Sequence, residues 1–156
     1  MIRIEPDDPA RPDVHALLSE HLADMFATSP AESVHALDHS ALSHESITFW
    51  TAREDGVLLG CGALKVLGAP GEAELKSMRT ASEARGRGVA TLLLKHIVAE
   101  ARTRGFSRLA LETGTEDYFA PARRLYARHG FTECAPFADY TLDPNSVFME
   151  LPLQPK

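Results

Sequence analysis

Arg85-Gly86-Arg87-Gly88-Val89-Ala90 brings two guanidinium groups and two glycines to the point where a strongly apolar helical pattern begins. The first turn of a helix leaves backbone N–H groups without intrahelical partners, and the aligned peptide dipoles add partial positive charge there. An anion is stabilised at such a place. The arginines can form charged hydrogen bonds to phosphate, while Gly86 and Gly88 let the backbone approach it without an intervening Cβ. Pyrophosphate binding is the chemistry this spacing suits. Two familiar phosphate loops do not fit. A nucleoside-triphosphate loop needs G-x-x-x-x-G-K-[ST], but no lysine follows these glycines until Lys95, and a dinucleotide fingerprint fails at its sixth position, Thr91. An exposed arginine turn that merely closes the preceding loop is the plainer alternative at this point.

Other reactive residue types carry less. The chain has seven histidines, but His15 and His21, or His35 and His39, are not arranged as H-E-x-x-H, so no metal site is expected. Ser40, Ser43 and Ser46 make no triad pattern with histidine. Cys61 and Cys134 support neither a disulfide framework nor a C-x-x-C clip, and they read as buried core thiols. Cys134 also lacks a helix N-terminus or a base that would lower its pKa.

The elements that position these residues follow from periodicity. Residues 13–26 place Val14, Leu17, Leu18, Leu22 and Met25 at helical spacing behind Pro12 and an Asp13 cap. The polar stretch 28–46 reads as a loop with a short helix around 31–37. Segments 47–52 and 57–67 form a hairpin about Asp55-Gly56, with Gly60 and Gly62 marking a bulge or close packing. A strand over 72–80, in which Leu75 and Met78 alternate imperfectly, leads into the arginine-glycine turn. The helix from Gly88 to Thr103 shows Val89, Leu92, Leu93, Ile97 and Ala101 on one face and stops at Gly105. Residues 107–113 form a strand, Pro121 to His129 a short helix ended by Gly130, and 130–134 and 146–151 two further strands around the loop 135–145. The helix between strands 73–80 and 107–113 is long enough for a right-handed crossover, which makes them a parallel pair in a mixed sheet.

Composition sets the frame. A chain of 156 residues suits a single domain, residues 1–156, that buries about two thirds of its unfolded surface. Usage is ordinary for a globular protein, at 44% apolar and 24% charged. No apolar run approaches the roughly 20 residues of a membrane span, and "MIRIEPDDPARPD" lacks a signal-peptide layout, so the expectation is a cytoplasmic protein with no membrane partner. The net charge of −6 argues against nucleic acid as a partner.

Taken in order, these segments resemble the GNAT superfamily of N-acetyltransferases. Arg85-x-x-Gly88-x-Ala90 matches its Q/R-x-x-G-x-G/A signature, "LALET" matches the next strand, and Ala122, Leu125, Tyr126, Gly130 and Phe131 match A-x-x-L-Y-x-x-x-G-F. The likeness spans residues 47–151. It implies an α/β (α+β) fold: a mixed, mainly antiparallel sheet with splayed central parallel strands, flanked by helices. It also implies acetyl-CoA as cosubstrate, its pyrophosphate on Arg85, Gly86, Arg87, Gly88, Val89 and Ala90, with Thr91 adding a hydroxyl. The pantetheine arm would extend the strand at Met78, Arg79 and Thr80 through the backbone of Met78 and Thr80.

Direct acetyl transfer to a primary amine needs a neutral amine, a polarised carbonyl and a proton for the departing thiolate. The resemblance gives Tyr126 the proton donation, Glu74 the base role through water, and the Met78 N–H the carbonyl. Glu112 competes with Glu74, and many members of the superfamily use no protein base. Tyr126 reads equally as a ring packed in the core. His21, Met25, Ser29 and His35 fall in the region that caps the acceptor end. Phe137, Asp139 and Tyr140 either wall the acceptor pocket or form a loop of the kind used in homodimer contacts. The acceptor, a small-molecule or protein amine, stays open, as does transfer of a longer acyl group. The competing reading is a noncatalytic acyl-CoA-binding sensor or interaction module.

Overall fold

The computed structural model describes residues 1–30 and 41–153, so the helix expected at 31–37 and His35 lie outside the described residues. In chain order come β1 (Arg3–Pro6), α1 (Pro12–Thr28), β2 (Ile47–Glu54), β3 (Val57–Val66), β4 (Glu72–Thr80), α2 (Val89–Thr103), β5 (Arg108–Gly114), α3 (Ala120–Arg128), β6 (Thr132–Glu133) and β7 (Ser146–Pro152). Among the described residues these strands form a seven-stranded sheet in the order β1-β2-β3-β4-β5-β7-β6. Every neighbouring pair is antiparallel except β4 with β5. This is the mixed, mainly antiparallel sheet the sequence implied.

Local chemistry explains most boundaries. Asp55 (φ 52°) and Gly56 (φ 81°) both take the left-handed conformation, as the tight turn of a two-residue hairpin demands. Helix α2 ends at Gly105, where the Phe106 amide donates to the Ala101 carbonyl (3.1 Å) and the Gly105 amide to the Arg102 carbonyl (3.0 Å). Helix α3 ends the same way at Gly130, with Phe131 donating to the Tyr126 carbonyl (3.1 Å). Among the described residues no helix is long and apolar enough to cross a membrane.

Four sequence expectations need correction. Strand β1 was not foreseen; it is only four residues long and lies on the sheet edge against β2, too short for periodicity to show. Asp13 is not a cap. The capping position is Arg11, without a side-chain hydrogen bond, and Asp13 lies within α1, where its carboxylate accepts from Arg53 at 2.7 and 3.1 Å. Leu92 is 41% exposed while Leu94 is fully buried. At about 100° per residue, Val89, Leu93, Ile97 and Ala101 make a drifting spine whose other flank is Leu94 and Val98, so Leu92 falls outside it. Cys61 is buried as expected, but Cys134 is only half-buried.

The sheet carries apolar layers on both faces. On one, Leu93, Leu94 and Ile97 of α2 and Leu125 of α3 pack over Trp50, Leu64, Leu75, Leu109, Leu111 and Met149. Each such leucine or isoleucine contributes about 1.5–3 kcal/mol by leaving water. On the other, Val14, Leu17 and Leu18 of α1 cover Phe49, Cys61 and Ala63. Phe137 and Phe148 cover Ala110, which alternates in β5 with Leu109 and Leu111 and so faces away from them.

The parallel pair opens almost as soon as it forms. β4 and β5 are in register only at Glu72–Arg108, Ala73–Leu109 and Glu74–Ala110. Ser77 then takes φ 57°, and the β3 register jumps so that Gly62 alone faces Ser77 and Met78. That is a bulge, and it turns the end of β4 away from β5. Gly62 leaves room there for two side-chain ends: a Cβ would sit 2.6 Å from the Met78 sulfur and 2.9 Å from the Ile97 terminal methyl, which would have to move.

Candidate active site

Where the two strands part, two cavities meet. A cleft of about 390 Å³ on one side is lined by Met78, Arg79 and Thr80 of β4, by Gly86 and Gly88 to Thr91 at the start of α2, and by Ala122, Leu125 and Tyr126 of α3. A smaller cavity of about 100 Å³ is lined by His21 and Met25 of α1, Glu74, Lys76 and Ser77 of β4, and Glu112 and Thr113 of β5. Met78, Ala122 and Tyr126 line both.

The larger cleft ends on backbone amides. Gly86 (φ 82°) and Gly88 (φ 77°) both adopt a conformation that side chains disfavour, although a Cβ on either would meet nothing within 4 Å. Backbone twist, not crowding, demands glycine here. Among the described residues the amides of Gly86, Gly88, Val89, Ala90 and Thr91 bond no backbone carbonyl. No side chain caps the helix. The result is a concave group of N–H donors at the positive end of a helix of 15 residues.

The arginines behave differently from that backbone. Arg85 and Arg87 are exposed and neither lines the cleft; Arg87 pairs with Glu54. Arg79 lines the cleft, but its buried guanidinium is committed to α1 through Glu20 and Asp24 (2.6 Å) and donates to the Tyr118 hydroxyl at 2.8 Å. Tyr118 in turn donates to Asp24 at 3.1 Å. This network ties α1 to the end of β4 and to the turn after β5. Ser29 adds a contact to Glu116 at 3.3 Å without lining the cavity.

Tyr126 sits at the junction, 7% exposed, with its ring 5.7 Å from that of Phe131. Among the described residues its hydroxyl has no hydrogen-bond partner. Burial raises its pKa well above the usual phenol range, which keeps the proton on oxygen. The core reading and the chemical reading of Tyr126 are therefore compatible, since the ring packs against Phe131 while the residue lines both cavities.

The two glutamates of the small cavity have different surroundings. Glu74 is 2% exposed, and its Oε2 accepts from the Tyr140 hydroxyl (2.6 Å) and the Lys76 ammonium (3.2 Å). Lys76 also donates to the Tyr140 hydroxyl at 2.8 Å, closing a three-membered ring of contacts. Glu112 accepts from the Ser146 hydroxyl at 2.9 Å. Burial lifts the Glu112 pKa from 4.5 to about 7, against the Ser146 hydrogen bond and the Lys76 charge and with help from Glu74. His21 is pushed down to about 4, first by burial and then by the Arg79 charge, so its imidazole is neutral at pH 7.

Of the remaining expected residues, Phe137 packs against Tyr140 and Phe148 and does not reach the small cavity. Asp139 is exposed beside Lys65, on a separate surface depression that touches Glu74 from outside. Tyr140 acts on the cavity through Glu74. Sequence reasoning missed Lys76, Ser77 and Thr113 as lining residues; the broken alternation of β4 at Ser77 was the one available signal.

Residues 14–131 match the acetyltransferase (GNAT) family. The chain is 50% identical over 148 residues to the uncharacterized N-acetyltransferase YsnE of Bacillus subtilis strain 168, covering 95% of this chain and 97% of that one. It is 48% identical over 153 residues to the uncharacterized N-acetyltransferase YedL of Escherichia coli K12, covering 98% and 96%. The crystal structure of a Klebsiella pneumoniae protein assigned to the acyl-CoA N-acyltransferases is similar with a TM-score of 0.83 at 32% identity, covering 99% of each chain.

Proposed function

We propose, for a chain that belongs to the acetyltransferase (GNAT) family, that the two cavities hold acetyl-CoA and a primary amine and that the acetyl group passes directly between them at the splay of β4 and β5. One observation carries this reading: the cleft that ends on unpaired amides and the cavity that holds the carboxylates meet at Met78, Ala122 and Tyr126.

The residues fit that division of labour. The amides of Gly86 and of Gly88 to Thr91 would take the pyrophosphate, Arg85 adding long-range positive charge. The exposed β4 edge at Met78 and Thr80 would hold the pantetheine arm, and the Met78 N–H would polarise the thioester carbonyl. Tyr126, held protonated by burial, would donate to the departing sulfur. Glu112 is the better base: its pKa of about 7 lets it accept a proton near neutral pH, whereas Glu74 is engaged by Tyr140 and Lys76. Direct transfer is favoured over an acyl-cysteine, because burial pushes the Cys61 thiol up to about 12 and raises that of Cys134.

Thiol release from acetyl-CoA in the presence of a panel of primary amines tests the proposal. Amine-dependent release is expected. Tight acetyl-CoA binding without release across a broad panel would overturn the enzymatic reading in favour of a sensor.

A further inference from the structure

Ser77 combines two features that ordinary packing does not require. It is a non-glycine residue at φ 57°, in the left-handed region. The residue is only 9% exposed, and among the described residues its buried hydroxyl has no hydrogen-bond partner. Buried hydroxyls are rarely left in that state, and strained backbone persists where function uses it. The residue lines the small cavity and not the cofactor cleft. Ser77 thus borders the space assigned to the acceptor, and a rotation about χ1 is what would bring its unmatched hydroxyl, now shielded in the wall, to a ligand there.

We propose that the Ser77 hydroxyl selects the acceptor, by hydrogen-bonding a neutral oxygen (a hydroxyl or an amide carbonyl) carried close to the reacting amine. This rests on the acetyl-transfer reading and names its substrate class. Electrostatics defines that class. The charged groups of the small cavity disfavour a carboxylate beside the reacting amine. Glu74 and Glu112 already line the wall, Lys76 is paired with Glu74, and Arg79, which does not line this cavity, directs its two terminal guanidinium nitrogens to Glu20, Asp24 and Tyr118, its Nε alone lacking a partner among the described residues. A second anion would meet like charge without a guanidinium to receive it. A neutral oxygen meets Ser77 at no such cost, and a purely hydrocarbon amine leaves the hydroxyl unmatched.

Ethanolamine, n-propylamine and glycine, similar in size, separate the three cases. Initial rates with acetyl-CoA are referred to the free-amine concentration, for the native protein and for Ser77→Ala and Ser77→Gly. The glycine variant relieves the backbone strain, so loss of folding does not obscure its result. The native protein is expected to prefer ethanolamine over n-propylamine about tenfold in kcat/KM, the effect of one buried hydrogen bond, and to use glycine least. In both variants the ratio should collapse toward one through the ethanolamine KM, with affinity for CoA retained. A ratio that survives both substitutions, or a native preference for glycine, overturns the assignment. Calorimetric binding of the same amines to the CoA-saturated protein separates the two readings. Ser77-dependent ethanolamine binding without transfer would sink the proposed activity and keep this contact, whereas transfer without Ser77 dependence would do the reverse.

Discussion

Replacing Glu112 by glutamine keeps the shape of the side chain and removes its charge at every pH. In the fold its carboxyl is raised from 4.5 to about 7, chiefly by burial. The folded protein therefore binds a proton more readily than the unfolded chain between these values, and stability falls as pH rises from about 4.5 through about 7. At about 1.4 kcal/mol for each tenfold, the full displacement corresponds to about 3 kcal/mol. Solvent reaching the half-buried side chain reduces this to about 1–2 kcal/mol. Glu112→Gln does not incur that loss. Urea unfolding at pH 5, 6, 7 and 8 should show the native protein and the variant close together at pH 5, and the variant about 1–2 kcal/mol more stable at pH 8. Activity should move the opposite way. The native kcat/KM for amine acetylation, referred to the free-amine concentration, should fall about tenfold per pH unit below about 7, as the base is protonated. The variant should be slower by about 100-fold or more and should lack that limb. Stability curves that run parallel across the range, or a limb near pH 7 that persists in the variant, would refute the burial argument and the base assignment respectively.

Tyr126→Phe removes one oxygen and leaves the ring against Phe131. Single-turnover acetyl transfer should slow by about 100-fold or more while CoA affinity changes little, and an unaltered rate would remove Tyr126 from proton delivery. Gly88→Ala introduces no clash but places a Cβ at φ 77°, so stability should drop by about 1 kcal/mol in thermal melts. CoA affinity measured by calorimetry should weaken as the amide group distorts; native affinity in a folded variant would contradict the backbone-borne anion site.

What the sequence determined by itself is what neighbouring residues decide among themselves. Gly86 and Gly88 mark an unusual backbone and an open helix start because only local twist is involved, and the structure places both at positive φ. The Asp55-Gly56 hairpin, the helix ends at Gly105 and Gly130, and the strand–helix–strand order around α2 are legible for the same reason. Side-chain roles were harder. Arg87 reads as a phosphate ligand and Arg79 as part of the strand beside the pantetheine arm, and only the fold shows that the first pairs with Glu54 and the second with Glu20 and Asp24. Glu74 and Glu112 are alike as letters on strands. Tyr140, 66 residues from Glu74, ties up the first, while burial lifts the pKa of the second. Desolvation and charge pairing depend on what lies within a few ångströms in space, and chain positions that far apart come within that range only after the sheet has formed and its central strands have parted.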